Sequence, residues 1–245
     1  MSTFSHQIFA PNSLYGTRKG KVIAFAGASN VLGFDEGSFG TNPYTLRSGV
    51  TFYNSGVNRT VTGYLTPHGP EVGLVETLYA ANPAYISGLT IMKRAVAGAT
   101  LQNWIDTHAA ALIADCVTAG VTPNVFVMTI QNTETTLANA VLLENKLITL
   151  FNIIRLAWGQ DIGIILDGPI SEDDISEPGN DQARLITRKK CGALDSGLGE
   201  VNGQFYWSDA HEDLTNLQIT HRNHDAQMLY GARIANAPGF KNLLI

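Results

Sequence analysis

The first strongly apolar stretch of the chain reads VIAFA over residues 22–26, and GASN follows it at once over residues 27–30. Runs of this kind recur further along. They cover Leu89–Met92 with Ala95 and Val96, Val125–Ile130, Ile162–Leu166 and, more weakly, Gln204–Trp207. Short, nearly continuous apolar runs are typical of strands that are buried on both faces, as they are in a parallel sheet.

Helical patterns of apolar residues separate these runs. They cover residues 71–80, 100–118, 135–158, 181–193 and 225–235. The alternation predicts a single α/β domain over residues 1–245, built as a three-layer α/β/α sandwich around a mostly parallel sheet of roughly five strands. Residues 34–70 break the alternation and are rich in Gly, Asn, Thr and Tyr, so we expect an insertion loop over the sheet edge there.

Composition excludes several classes of protein. The 245 residues are 44% hydrophobic, which is enough for a sizeable core, and the net charge of −5 argues against a nucleic-acid binder. Only 15% of the residues are charged, and a neutral polar surface of this kind suits uncharged, hydroxyl-rich ligands. Neither a signal peptide nor a membrane-spanning run of about 18 apolar residues is visible. We therefore expect a protein that is cytoplasmic or part of a larger surface or virion assembly.

The two cysteines have different surroundings. Cys116 lies in an apolar helical pattern, which predicts a buried thiol, while Cys191 follows three basic residues and is interpreted as an ordinary free thiol. This pair does not make a disulfide framework, and no Cys/His spacing is typical of a zinc site. No metal and no cofactor is expected.

Candidate catalytic residues follow the predicted strands. In open α/β sheets, sites form beyond the carboxyl ends of the strands. The segments there are residues 27–30 (GASN), 97–100 (AGAT) and 131–134 (QNTE), and THRNH lies further on at 220–224. A serine, a histidine, glycine amides and an amide side chain from separate loops can form one site, with serine as nucleophile, histidine as its base and the amides as an oxyanion hole. The phosphate-binding loop, the G-x-G-x-x-G fingerprint and the G-x-S-x-G elbow are all absent from the sequence.

These segments resemble the blocks of the SGNH (GDSL-like) hydrolase superfamily, nearest its carbohydrate-esterase and sialate O-acetylesterase branch. The resemblance implies a flavodoxin-like fold with Ser29 as nucleophile. It implies an oxyanion hole made by the N–H groups of Ser29 and Gly98 and by an amide side chain. The general family pattern favours Asn132 for that amide, and the carbohydrate-esterase variant favours Gln131. Ala28 departs from the family, which often has Asp or Gln there.

The resemblance also assigns the base. His221 is followed by Gln227, Gly231, Arg233 and Ile234, a pattern similar to the family's histidine and the helix after it. By this spacing the base is His221 and not His224. The segment Gly69-Pro70-Glu71 looks like one that is common in the sialate-esterase branch, although a helix that starts at proline with an acid in its first turn explains it equally well.

One position departs from the family in a way that bears on activity. Gln218 stands three residues before His221, where the family has Asp. Either Asp209 or Asp213 supplies the acid, or a Ser–His dyad acts without one, or the site is impaired. The sequence thus predicts an esterase that removes acyl groups, O-acetyl above all, from a glycan or another small ester. The alternatives are a glycan-binding module without turnover and a structural domain of a larger fibre.

Overall fold

The computed structural model describes residues 20–32, 44–54, 64–65, 69–129, 137–167, 205–208, 217–218, 221–222, 224–237 and 240–244. The strands, in chain order, are β1 (Lys21–Gly27), β2 (Tyr44–Thr45), β3 (Val50–Asn54), β4 (Tyr64–Leu65), β5 (Leu89–Ala95), β6 (Val125–Thr129), β7 (Gly163–Asp167), β8 (Phe205–Ser208), β9 (Leu217–Gln218) and β10 (His221–Arg222). The helices are α1 (Ser29–Leu32), α2 (Glu71–Ala81), α3 (Leu101–Asn103), α4 (Ala109–Thr118), α5 (Leu137–Trp158) and α6 (His224–Ala235). A π-helical turn (Trp104–His108) joins α3 to α4, and 3₁₀ turns cover Pro83–Tyr85 and Phe240–Leu244.

A six-stranded sheet in the order β3-β5-β1-β6-β7-β8 forms the middle layer. All of its neighbouring strands are parallel. Without β3, this is the flavodoxin-like order, in which the chain reverses direction across the sheet between β1 and β6. The predicted α/β/α sandwich with a mostly parallel sheet is confirmed. The crevice beyond the carboxyl ends of β1 and β6 is the place where such sheets form their sites.

The sixth strand corrects one expectation. Residues 34–70 are not a loop throughout, because β3 pairs with β5 in the register Val50 to Leu89 and extends the sheet. Val50 and Phe52 are buried, while Thr51 and Tyr53 are only partly so. This alternation of β-branched and aromatic residues is typical of a strand, and the Gly- and Asn-rich composition of the surrounding segment obscures it.

Two apolar cores lie on the two faces of the sheet, because successive residues of a strand point to opposite sides. In β1, Val22, Ala24 and Ala26 belong to one core, and Ile23 and Phe25 belong to the other. The first core packs against α3, the π turn, α4 and α5, and the second packs against α2, α6 and the last 3₁₀ turn. In the described part of the chain, no helix has both the length and the apolar character that crossing a bilayer requires.

Candidate active site

The end of β1 forms a tight turn into α1, which begins at Ser29. A Cβ atom on Gly27 would lie 2.5 Å from Cγ2 of Val31, so any other residue here would require the Val31 side chain to shift. The carbonyl of Ala28 accepts hydrogen bonds from the N–H groups of Val31 (3.1 Å) and Leu32 (3.0 Å), which closes the single turn of α1. The backbone of Ser29 is therefore held at the carboxyl end of the central strand.

Gly98, the second predicted site residue, lies in the turn after β5. Its φ of +70° is in the left-handed region, which favours glycine. The two loops are joined directly, since the N–H of Val96 donates to the carbonyl of Gly27 at 3.1 Å. The structure thus brings the loop that carries Gly98 next to the turn that carries Ser29. A capping box between Thr100 and Asn103 then starts the next helix.

His221 lies in β10, and β10 lies beside α1. Cα atoms of the two elements come within 8 Å of each other, although their residues are far apart in the sequence. Residues His221 and Gln218 are Cα partners in the antiparallel pair of β10 with β9. The position that the family fills with Asp is thus the one facing His221, and glutamine occupies it here.

The remaining predicted site residues lie outside the described part of the chain. These are Gln131, Asn132, Asp209 and Asp213. Their roles as oxyanion amide and catalytic acid stay predictions. Within the described ranges, no three His, Cys, Asp or Glu residues converge in a way that could hold a metal ion.

Sequence reasoning missed a buried ion pair next to α1. Lys93 Nζ lies 2.8 Å from Glu71 Oε1, and the exposed fractions of the two side chains are 0% and 1%. The same ammonium group donates to the carbonyl of Leu32 at 3.3 Å, and Glu71 Oε1 also accepts from the N–H of Gly69 at 2.9 Å. Burial lowers the pKa of Lys93, and the negative charge of Glu71 opposes this shift.

The sequence did carry a signal for this pair. Lys93 interrupts the apolar run of β5, which the sequence pattern divides into residues 89–92 and 95–96, whereas the structure has one strand from Leu89 to Ala95. A lysine in the middle of a strand that is buried on both faces needs a partner. Glu71 is that partner. From the sequence, an acidic residue in the first turn of a helix needs no further explanation, so the pair was not predicted.

Backbone contact between α2 and α6 fixes the helix that follows β10. A Cβ atom on Gly73 would lie 2.0 Å from the carbonyl oxygen of Met228, and one on Gly231 would lie 1.9 Å from that of Pro70. Tyr230, also on α6, forms a buried hydrogen bond through its hydroxyl group to that of Thr129, the last residue of β6. The segment after His221 is therefore tied both to α2 and to the sheet.

Comparison with known proteins adds to this geometry. The sequence matches no protein-family model and no curated protein. Solved structures do match: a protein of Arabidopsis thaliana with a TM-score of 0.66 at 12% identity, over 89% of this chain and 97% of that one. A lipase from a goat rumen metagenome matches with a TM-score of 0.53 at 9% identity, over 88% of this chain and 96% of that one.

The chain has the SGNH-hydrolase fold. Both matches cover nearly the whole of the solved chain and close to nine-tenths of this one, at 89% and 88%. In the SGNH-hydrolase fold observed here, the elements that carry Ser29, Gly98 and His221 meet at one edge of the sheet.

Proposed function

We propose that the protein is a serine esterase that hydrolyses acyl esters, with O-acetyl groups on a carbohydrate as the preferred substrate. The observation that carries the proposal is the contact of β10 with α1 at the carboxyl end of β1. This contact brings the strand that contains His221 next to the helical turn that begins at Ser29. The fold of the matching lipase supports ester chemistry. The low charge of the chain supports a neutral, hydroxyl-rich substrate.

The proposed reaction is acyl transfer through Ser29. His221 takes the proton of the Ser29 hydroxyl as Oγ attacks the ester carbonyl, and it returns that proton to the leaving alcohol. The N–H groups of Ser29 and Gly98, together with the side chain of Asn132 or Gln131, hold the negative charge that develops on the carbonyl oxygen. Water then attacks the acyl-enzyme, with His221 again as base, and releases the acid. Asp209 or Asp213 supplies the carboxylate for His221 in the triad version.

The test compares the wild-type protein with Ser29→Ala. We expect Ser29→Ala to lower kcat for p-nitrophenyl acetate and for acetylated sugars by about 10³-fold or more, because it removes the nucleophile. Ser87→Ala is the matched control. Ser87 is exposed and lies in the turn before β5, at the amino ends of the strands, whereas Ser29 follows the carboxyl end of β1. Equal turnover in wild type and Ser29→Ala would refute the proposal.

A glycan-binding module without turnover is the second candidate. The observation that favours it is Gln218, which faces His221 in the β9–β10 pair and cannot stabilise an imidazolium by charge. A fluorophosphonate probe separates the two candidates. Covalent labelling of Ser29 supports the esterase, while binding on a glycan array without labelling supports the module.

A further inference from the structure

We propose that the buried Lys93–Glu71 pair is a positioning device that sets where Ser29 stands relative to His221. The inference rests on the proposed function, because it gives the pair a role in the same reaction. Neither residue contacts the reacting atoms. Both act through the backbone of α1.

The pair holds the carboxyl end of α1. Lys93 Nζ donates to the carbonyl of Leu32, the last residue of α1, and helix ends leave such carbonyls without partners inside the helix. Gly69 packs on the same turn, since a Cβ atom there would lie 2.2 Å from the carbonyl oxygen of Val31. Glu71 Oε1 holds Gly69 and Lys93 at once. The turn that starts at Ser29 is thus held at its carboxyl end by a buried ion pair.

The same support reaches the histidine side of the site. Glu71 lies in the first turn of α2, directly after Pro70. The carbonyl of Pro70 is in backbone contact with Gly231 of α6, the helix that follows β10. A continuous set of packed contacts therefore runs from α1, through Lys93 and Glu71, to the helix that comes after His221.

Stability alone is a poor explanation for this pair. Removing two charges from water is costly, and well-packed apolar residues of similar volume hold buried elements together equally well. An apolar pair could not hold the Leu32 carbonyl, and the position of α1 would then be less sharply defined. Small displacements of a nucleophile from its reacting geometry lower the rate of the chemical step.

The decisive variant is the double substitution Lys93→Met with Glu71→Gln. It removes both charges, leaves neither partner charged and unpaired, and keeps an acceptor oxygen for the N–H of Gly69. We expect a folded protein whose kcat for p-nitrophenyl acetate falls about ten-fold or more while KM stays within about two-fold. The rate at which a fluorophosphonate labels Ser29 should fall with kcat.

The matched control is Arg47→Met with Glu76→Gln. This ion pair also involves α2, with Arg47 Nη2 at 2.6 Å from Glu76 Oε2. It lies near the amino end of β3, away from α1, so kcat should stay at the wild-type value. Circular dichroism and urea unfolding check that both double variants are folded.

The possible outcomes separate a failure of the positioning role from a failure of the proposed function. If the wild-type protein is active and the folded Lys93→Met, Glu71→Gln variant has the same kcat, the positioning role is wrong. The proposed esterase activity would still stand. A wild-type protein without turnover or labelling would refute the proposed function, and this inference with it. If the double variant does not fold, Lys93→Gln with Glu71→Gln decides by the same change in kcat, because it is uncharged, keeps a polar pair inside, and shortens the side chain that donates to the carbonyl of Leu32.

Discussion

At the scale of single residues, Cys116 shows how far burial alone changes a side chain's chemistry. The thiol is fully buried in α4 and unpaired among the described residues. Burial, with a smaller contribution from the charge of Asp115, raises the pKa of the thiol to about 12. The buried thiol predicted from the helical pattern is confirmed.

This raised pKa predicts a loss of stability in alkali. Burial thus favours the protonated thiol in the folded protein up to about pH 12, whereas the thiol of the unfolded chain ionises around its ordinary pKa of 9.0. The contribution of this group to the free energy of unfolding is therefore fully present below about pH 9 and is lost as the pH rises toward the folded value. Between about pH 9 and about pH 11, we expect wild type to lose about 2 kcal/mol more than Cys116→Ala in urea unfolding. Parallel losses in the two proteins would contradict the prediction.

Residue-level reasoning from sequence selected Ser29, Gly98 and His221 as candidates but missed the buried ion pair beside α1. Ser29, Gly98 and His221 stand out because each follows or lies near the end of an element, and sites form at such ends. Lys93 and Glu71 were missed because each has a sufficient local explanation when read alone. Their interaction exists only after β5 and α2 have packed, and no local pattern encodes it.

At the scale of elements, the crossing of α2 and α6 depends on two glycines. Gly73 and Gly231 let the two helix backbones touch, so the spacing between these helices is set by the absence of side chains. The carbonyl groups that a new Cβ would meet belong to helical backbone and cannot rotate away. The crossing is therefore intolerant of even one methyl group.

Gly231→Ala tests this intolerance. The new Cβ would lie 1.9 Å from the carbonyl oxygen of Pro70, so the helices must separate. We expect a loss of about 3 kcal/mol in the free energy of unfolding, measured by urea denaturation, despite alanine's better helix propensity. Leu229→Ala, at a position of α6 that is 45% exposed, is the control and should cost well under half as much. A stabilised Gly231→Ala protein would show that the helices do not cross as closely as the structure has them.

The long elements could be predicted from sequence and the short ones could not. The apolar runs that predict β1, β6 and β7 and the helical patterns of α2, α4 and α5 match the structure closely. A strand buried on both faces leaves a continuous apolar run, and a helix buried on one face leaves a helical period. Strands β2, β4, β9 and β10 have two residues each, too few to show any period. The strand that carries His221 is one of these, so its pairing with Gln218 could not be foreseen.

At the scale of the whole molecule, the order of the strands in space differs from their order in the chain. β1 lies between β5 and β6, and β3 lies outside β5. Periodicity predicts that strands exist and that they are parallel, but it carries no information on which strands are neighbours. The resemblance to a flavodoxin-like fold provides the central order, and the added edge strand β3 lies outside it.

The central place of β1 has a consequence for how the chain is made. Its partners are residues 89–95 and 125–129, so the segment that emerges first among these strands must wait for both. At roughly 5–20 residues per second, the apolar segment VIAFA waits roughly 3–14 seconds for β5 to be made and roughly 5–20 seconds for β6. We expect ribosome-bound chains stalled before residue 89 to be open to protease within β1, and chains in which residue 129 has left the ribosome to be protected there. Protection of β1 in the shorter chains would mean that it pairs temporarily with another segment. The nascent chain would then have to break this non-native pairing before β1 could pair with β5 and β6.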